Sequence, residues 1–210
     1  DDAIGRLAVE HLADRGFRRL AFVGDSQFNW SRFRQAAFCA RAEVCGLTCE
    51  IAPDVGDQPR QRGAPENSSR LGEWLRRLEL PVGIFCCYDI KAQQVLDLYR
   101  ELDLAVPEQV AVLGVDNDPL LCNLCTPPLS SVAPNAIRTG YVAAELLDRM
   151  LNGEQVAPQP FLIRPLGVET RQSTDTLAIE DEDVAAALRL IRERAREGID
   201  VGDLLRVIPV

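Results

Sequence analysis

Three short runs constrain this chain more than anything else in it: residues 20–23, 82–87 and 110–115 are apolar almost without interruption. A strand that faces water on one side alternates apolar and polar residues, so an unbroken apolar strand must be covered on both faces. Between the runs, apolar residues recur at helical spacing. Ile4, Leu7, Ala8 and Leu12 form one stripe, closed by Gly16, and 31–45, 71–80 and 89–102 read as further helices. Residues 48–52 read as a second, weaker strand, and 53–69, rich in Pro, Gly, Asn, Asp and Ser, as a loop. Strands alternating with helices predict an α/β fold with a parallel sheet flanked by helices.

The pattern changes after Thr126-Pro127-Pro128. Residues 129–132 read as a short strand or crossover. Residues 135–151 form a long helix with Ile137, Tyr141, Ala144, Leu147 and Leu151 on one side, stopped by Asn152-Gly153. Residues 161–168 read as a late strand and 169–179 as a polar linker. The tail is different again. Glu180, Asp181, Glu182 and Asp183 open a helix, where acids favour the positive end of its dipole. Val184, Ala187, Leu188, Ile191 and Ala195 then recur at helical spacing, and a short helix over 200–208 follows Gly198. Two helices joined by a tight turn do not bury both stripes alone, so they read as the beginning of a larger helical module.

Composition narrows the functions open to the chain. With 210 residues and 47% hydrophobic content it can bury a full core. Its net charge of -9 makes it a poor partner for DNA phosphates by itself. Seven cysteines at irregular spacing fit reduced thiols in the cytoplasm, and no stretch suits a bilayer span. Cys122-Asn123-Leu124-Cys125 lacks a second such pair, and the single His11 lies far away, so a structural role is expected and no metal. His11, between Leu7 and Leu12, reads as a packed or boundary histidine. No Gly-rich phosphate loop and no Ser/His/Asp set is evident, so no cofactor and no enzyme chemistry is expected.

Gly5-Arg6-Leu7-Ala8-Val9-Glu10-His11-Leu12 and Arg18-Arg19-Leu20-Ala21-Phe22-Val23-Gly24 resemble the effector domains of the lactose-repressor family. Val112-Leu113-Gly114-Val115-Asp116-Asn117-Asp118 resembles that family's strand-turn segment, and Pro127-Pro128-Leu129-Ser130-Ser131-Val132 its return crossover. Arg171-Gln172-Ser173-Thr174-Asp175 with the 184–207 helices, and Trp30, Arg34 and Phe38, resemble the xylose-operon regulators. That group joins such a sensor to an arabinose-regulator-type helix-turn-helix domain.

The resemblance implies a periplasmic-binding-protein-like fold, here mostly the second lobe, with residues 1–172 as the effector-binding domain and its first lobe incomplete. Residues 173–180 would be a linker, and 181–210 the start of the DNA-binding domain, cut short. The chain starts at Asp1 rather than Met, so its true start is expected upstream. The resemblance further implies a sugar effector, D-xylose, operator DNA reached through the C-terminal domain, and a homodimer without membrane contact.

A sugar site needs carboxylates and amides, an Arg fork and often an aromatic plate, and in open α/β sheets it lies at the carboxyl ends of strands. Asp116 follows the 110–115 strand, as a sugar acceptor or a turn residue of Asp116-Asn117-Asp118-Pro119. Asp89 follows the 82–87 strand, as a sugar contact or a helix N-cap, with Tyr88 beside it. Trp30 and Arg34, four apart, share a helix face and offer a stacking plate and a donor fork, or else a half-buried ring and a solvated cation. Arg32 lies off that face and reads as surface. Two other readings share the fold: a transporter's substrate-binding protein, and a small Rossmann-type enzyme.

Overall fold

A computed structural model of the chain describes residues 1–53, 66–102, 104–176, 181–194 and 198–206. The elements run α1 (Asp2–Asp14), β1 (Arg19–Val23), α2 (Asn29–Val44), β2 (Thr48–Ile51), α3 (Glu66–Leu75), β3 (Val82–Cys86), α4 (Asp89–Glu101) and β4 (Val110–Val115). They continue with α5 (Pro119–Leu124), β5 (Ser130–Ala133), α6 (Ala136–Leu151), β6 (Gly167–Glu169), a 3-10 turn at Gln172–Thr174, α7 (Glu182–Arg194) and α8 (Val201–Leu205). Among the described residues the strands form one sheet in the order β2-β1-β3-β4-β5-β6. The first five are parallel, and β6 pairs antiparallel with β5.

The unbroken apolar strands are buried on both faces because successive residues point to opposite sides. Ala21, Val23, Ile84, Cys86, Val110 and Val112 join one core with Leu71 and Leu75 of α3 and Ala92, Val95, Leu96 and Tyr99 of α4. Leu20, Phe22, Phe85, Cys87, Ala111, Leu113 and Val115 join the other, with Ala8, Val9 and Leu12 of α1 and Phe38 and Ala42 of α2. Phe22, Phe38 and Phe85 meet ring to ring there, with centroids 5.0 to 6.1 Å apart. Helices thus cover both faces of the sheet, and the edge strand β2 is largely exposed.

Some boundaries differ from the sequence reading. The helix expected over 71–80 begins at Glu66 and ends at Leu75, and Arg77 and Leu78 then turn back on Trp74 and Leu75. Leu80 precedes Pro81, a position that disfavours the helical region. Most of the expected 53–69 loop lies outside the described residues. The strand expected over 161–168 shrinks to Gly167–Glu169; Leu166 N–H still donates to Ala133 O of β5 at 2.9 Å, but the Leu162 and Leu166 side chains are exposed. Helix α5 was not expected from sequence. Asp118 caps it, accepting from the N–H groups of Leu120 and Leu121, and Pro119 occupies its first turn. The apolar side of α6 is exposed, Ile137 by 90% and Leu151 by 78%.

The segment after β6 is tied into the sheet. The Ser173 hydroxyl donates to Val112 O at 2.6 Å and accepts from Ser130 N–H at 2.8 Å. Arg171 N–H donates to Ser130 Oγ, which donates to Arg171 O, each at 2.8 Å. His11 Nε2 lies 2.8 Å from Thr174 Oγ1, and Arg15 reaches His11 Nδ1 at 3.1 Å and Thr174 O at 2.6 Å. Because the Arg15 guanidinium only donates, Nδ1 accepts and the ring proton sits on Nε2. Burial, aided by Arg15, lowers the His11 pKa to about 3. The packed histidine of the sequence reading is thus a neutral link between α1 and this strap.

Candidate ligand-binding site

The strand order reverses between β1 and β3, and in open α/β sheets ligands bind beyond the carboxyl ends of strands at such a point. The chain leaves β1 through Gly24 and Asp25 and re-enters α2 at Asn29. Asp25 N–H donates to Ser31 Oγ at 2.9 Å, folding the loop onto the first turn of the helix. Trp30 lies in that turn and Arg34 one turn on, which puts the Arg34 guanidinium carbon 4.9 Å from the Trp30 ring centroid. Arg34 Nη1 donates to Cys87 O, just past β3, at 2.5 Å, and Nε pairs with Asp1 Oδ1 at 3.0 Å. Trp30 is flanked by Phe28, stacked at 4.9 Å, and by Tyr88, edge-on at 5.6 Å. Arg32 is exposed and bonds Asn29.

Beyond β4 the backbone takes two successive left-handed residues, Asp116 at φ 110° and Asn117 at φ 52°. Such a conformation costs a non-glycine residue about 1–3 kcal/mol and persists only where the surroundings hold it. Three bonds hold it here. Asp116 N–H donates to Val132 O at 3.1 Å, Asn117 N–H to Ser131 Oγ at 3.0 Å, and Asp118 N–H to Asp89 Oδ2 at 3.0 Å. Asp116 is left exposed just beyond the carboxyl end of β4.

Asp89 plays a different part from the one its position in sequence suggests. Tyr88 is the N-cap of α4, and Asp89 is the first residue inside the helix, only 2% exposed. Its carboxylate accepts from Ser131 Oγ at 2.6 Å, from Asp118 N–H and from Cys122 Sγ at 3.3 Å. Three of its roughly four lone-pair sites are thereby given to the protein. Burial raises its pKa, and those three donors oppose the rise. Gly114 makes room for it: a Cβ there would stand 2.2 Å from Asp89 Oδ1. Asp89 is therefore bonded to the turn that carries Asp116.

Arg34 and the two carboxylates share one electrostatic neighbourhood. Burial lowers the Arg34 pKa, and Asp116 is the largest influence against it, ahead of Cys87 and Asp89. Partial enclosure raises the Asp116 pKa, and Arg34 pulls it back. Beyond the carboxyl ends of the strands the structure thus puts Arg34 over the Trp30 ring and Asp116 within electrostatic reach of Arg34, with Asp89 buried behind the Asp116 turn. Sequence reasoning missed Ser131, Gly114, Cys122 and the backbone of Asp118. No spacing rule joins them, since they meet only when β4 and β5 pair. A donor fork, an acceptor carboxylate and an aromatic plate suit a polyhydroxylated ring. Among the described residues no group of His, Cys, Asp and Glu is placed to hold a metal ion, and no helix is long and apolar enough to cross a membrane.

Comparison with known proteins bears on the family and the fold. Residues 9–174 match the family described as periplasmic binding protein-like domain. The xylose operon regulatory protein of Haemophilus influenzae is 34% identical over 206 residues, covering 97% of this chain and 53% of that protein. The solved structure of a xylose-binding transcription activator superposes with a TM-score of 0.88 at 32% identity, over 100% of this chain and 56% of that one. A dimeric lac repressor superposes with a TM-score of 0.66 at 21% identity, over 84% of this chain and 62% of that one, a likeness of fold. The chain spans about half the length of the curated relatives it matches.

Proposed function

Since the chain belongs to the periplasmic binding protein-like domain family, we propose that it is the sugar-sensing part of a cytoplasmic transcription regulator whose effector is a pentose, D-xylose. The observation that carries this reading is that Arg34, over the Trp30 ring at the reversal point of the sheet, shares its electrostatic neighbourhood with Asp116 at the end of the adjacent strand β4. In it, the Phe28–Trp30–Tyr88 cluster offers an aromatic plate to the apolar face of the sugar. Asp116 accepts from neighbouring hydroxyls and Arg34 donates to them. Asp89 positions the Asp116 turn and is not an open ligand group. The relatives named for the xylose operon, and the neighbour described as xylose-binding, favour xylose over other pentoses.

The rest of the relatives' length supplies the parts beyond this lobe. A first lobe would close over the sugar and cover the exposed apolar side of α6. Helices α7 and α8 begin the helix-turn-helix module that reaches operator DNA, and they favour a regulator over a transporter's binding protein. The protein works as a homodimer without enzyme chemistry. The sugar switches it by binding the closed arrangement better than the open one, since a ligand of equal affinity for both shifts nothing.

Thermal denaturation of the full-length protein against a panel of sugars tests this. A ligand at 100 times its Kd stabilises the folded state by about 2.7 kcal/mol. D-xylose is expected to raise the midpoint above L-arabinose, D-ribose and D-glucose. A larger rise with another sugar overturns the named effector, and no rise with any sugar overturns the site.

A further inference from the structure

We propose that Cys39 and Cys49 form a thiol redox site that closes to a reversible disulfide, tying α2 to the edge strand β2. Their sulfurs stand 3.4 Å apart, already in contact. A disulfide bond is ~2.0 Å long, so side-chain rotation has little distance to cover. Cys39 lies on α2 and Cys49 on β2, and both are partly exposed, so a small oxidant reaches them. The other thiols are worse placed. Cys86, Cys87 and Cys122 are fully buried and Cys125 nearly so, which keeps thiolates from forming. Cys45 is exposed, at the C-terminal end of α2. Among the described residues, Cys39 and Cys49 are the cysteines with sulfur in contact with sulfur.

The two thiols have distinct roles. Burial raises the Cys49 pKa, and the contact with Cys39 adds to the rise. Since burial disfavours the Cys49 thiolate, the first attack falls to Cys39 and the resolving step to Cys49. With hydrogen peroxide as oxidant, the Cys39 thiolate attacks one peroxide oxygen. The O–O bond breaks, Cys39 becomes a sulfenic acid, and the released hydroxide takes up a proton as water. The Cys49 sulfur then attacks the Cys39 sulfur, the S–O bond breaks, and a second water leaves with the Cys49 proton. Two thiols lose two electrons and one peroxide gains them. A dithiol reductant reverses the bond.

The test is peroxide treatment of the full-length protein, followed by thiol titration and mass-spectrometric peptide mapping, with and without later reduction. The expected result is one cross-linked peptide pair joining Cys39 to Cys49, lost on reduction. Cys45→Ser keeps that pair. Cys39→Ser loses it without another pair replacing it, and Cys49→Ser leaves Cys39 as a trappable sulfenic acid. A bond mapped to Cys45, separate oxidation of the two cysteines in the unsubstituted protein, or no change at either overturns the proposal. The mapping on the unsubstituted protein decides the matter even if a variant folds poorly.

Discussion

Ser130 and Ser131 are neighbours on β5 and send their hydroxyls to opposite faces of the sheet. Ser131 Oγ donates to Asp89 Oδ1 at 2.6 Å, beneath the candidate sugar site. Ser130 Oγ donates to Arg171 O at 2.8 Å, in the strap that leads towards the tail helices. One short strand therefore touches both the turn that presents Asp116 and the segment that leaves for the C-terminal module.

Truncating the two serines should separate these duties. Ser131→Ala leaves Asp89 Oδ1 and Asn117 N–H without their partner, at a cost of about 1–3 kcal/mol, because buried polar groups lose their bonds. It should also weaken sugar binding roughly tenfold, about 1.4 kcal/mol, as the Asp116 turn loosens. Ser130→Ala should cost similar stability and leave sugar affinity within about twofold, since its partners lie on the other face. Urea denaturation and sugar titration of both variants measure this. Equal sugar affinity in the two contradicts the division.

Gly114→Ala should destabilise the protein by about 1–3 kcal/mol, as overpacking a filled core does. The added Cβ would meet Asp89 Oδ1 at 2.2 Å, and Asp89 cannot withdraw without leaving its three donors. Unchanged urea stability would show that Asp89 is not held as described.

Asp116→Gly should separate strain from function. Glycine accepts φ 110° without the steric cost that aspartate bears there, although it also adds freedom to the unfolded chain. Stability should hold or rise by about 1 kcal/mol while sugar binding is lost. A clear loss of stability would mean that the Asp116 carboxylate supports the fold rather than the ligand.

How much of this was legible in the sequence depended on the range of the forces involved. The runs at 20–23, 82–87 and 110–115 declared their strands because burial on both faces is written into every residue of the run. Trp30 and Arg34 were legible as a pair because four residues is a helical neighbour distance. Asp89 was not, because its partners Asp118, Cys122 and Ser131 arrive from 29 to 42 residues away. His11 is a sharper case, since Thr174 is 163 residues distant. The 161–168 run misled because Leu162 and Leu166 are apolar yet exposed. Apolar sequence marks a surface to be covered, not which element covers it.

The buried His11 should make stability fall in mild acid. Its pKa is lowered from 6.5 to about 3 in the folded protein. Above pH 6.5 the ring is neutral in both states and its bonds to Thr174 and Arg15 stand in full. As the pH falls from 6.5 towards about 3, only the unfolded chain takes up the proton, so stability is lost at up to about 1.4 kcal/mol per pH unit. Urea titrations from pH 7.5 to 4.5 should show a shallower decline in His11→Gln than in the unsubstituted protein. Parallel curves would remove His11 from the account.

The most direct test of the central claim is isothermal calorimetric titration of D-xylose into the full-length protein and its Asp116→Ala variant. A saturable one-site heat in the unsubstituted protein, abolished in the variant while its urea stability is kept, is the predicted result. No heat in the unsubstituted protein, or the same affinity in both, would contradict a sugar held at the end of β4.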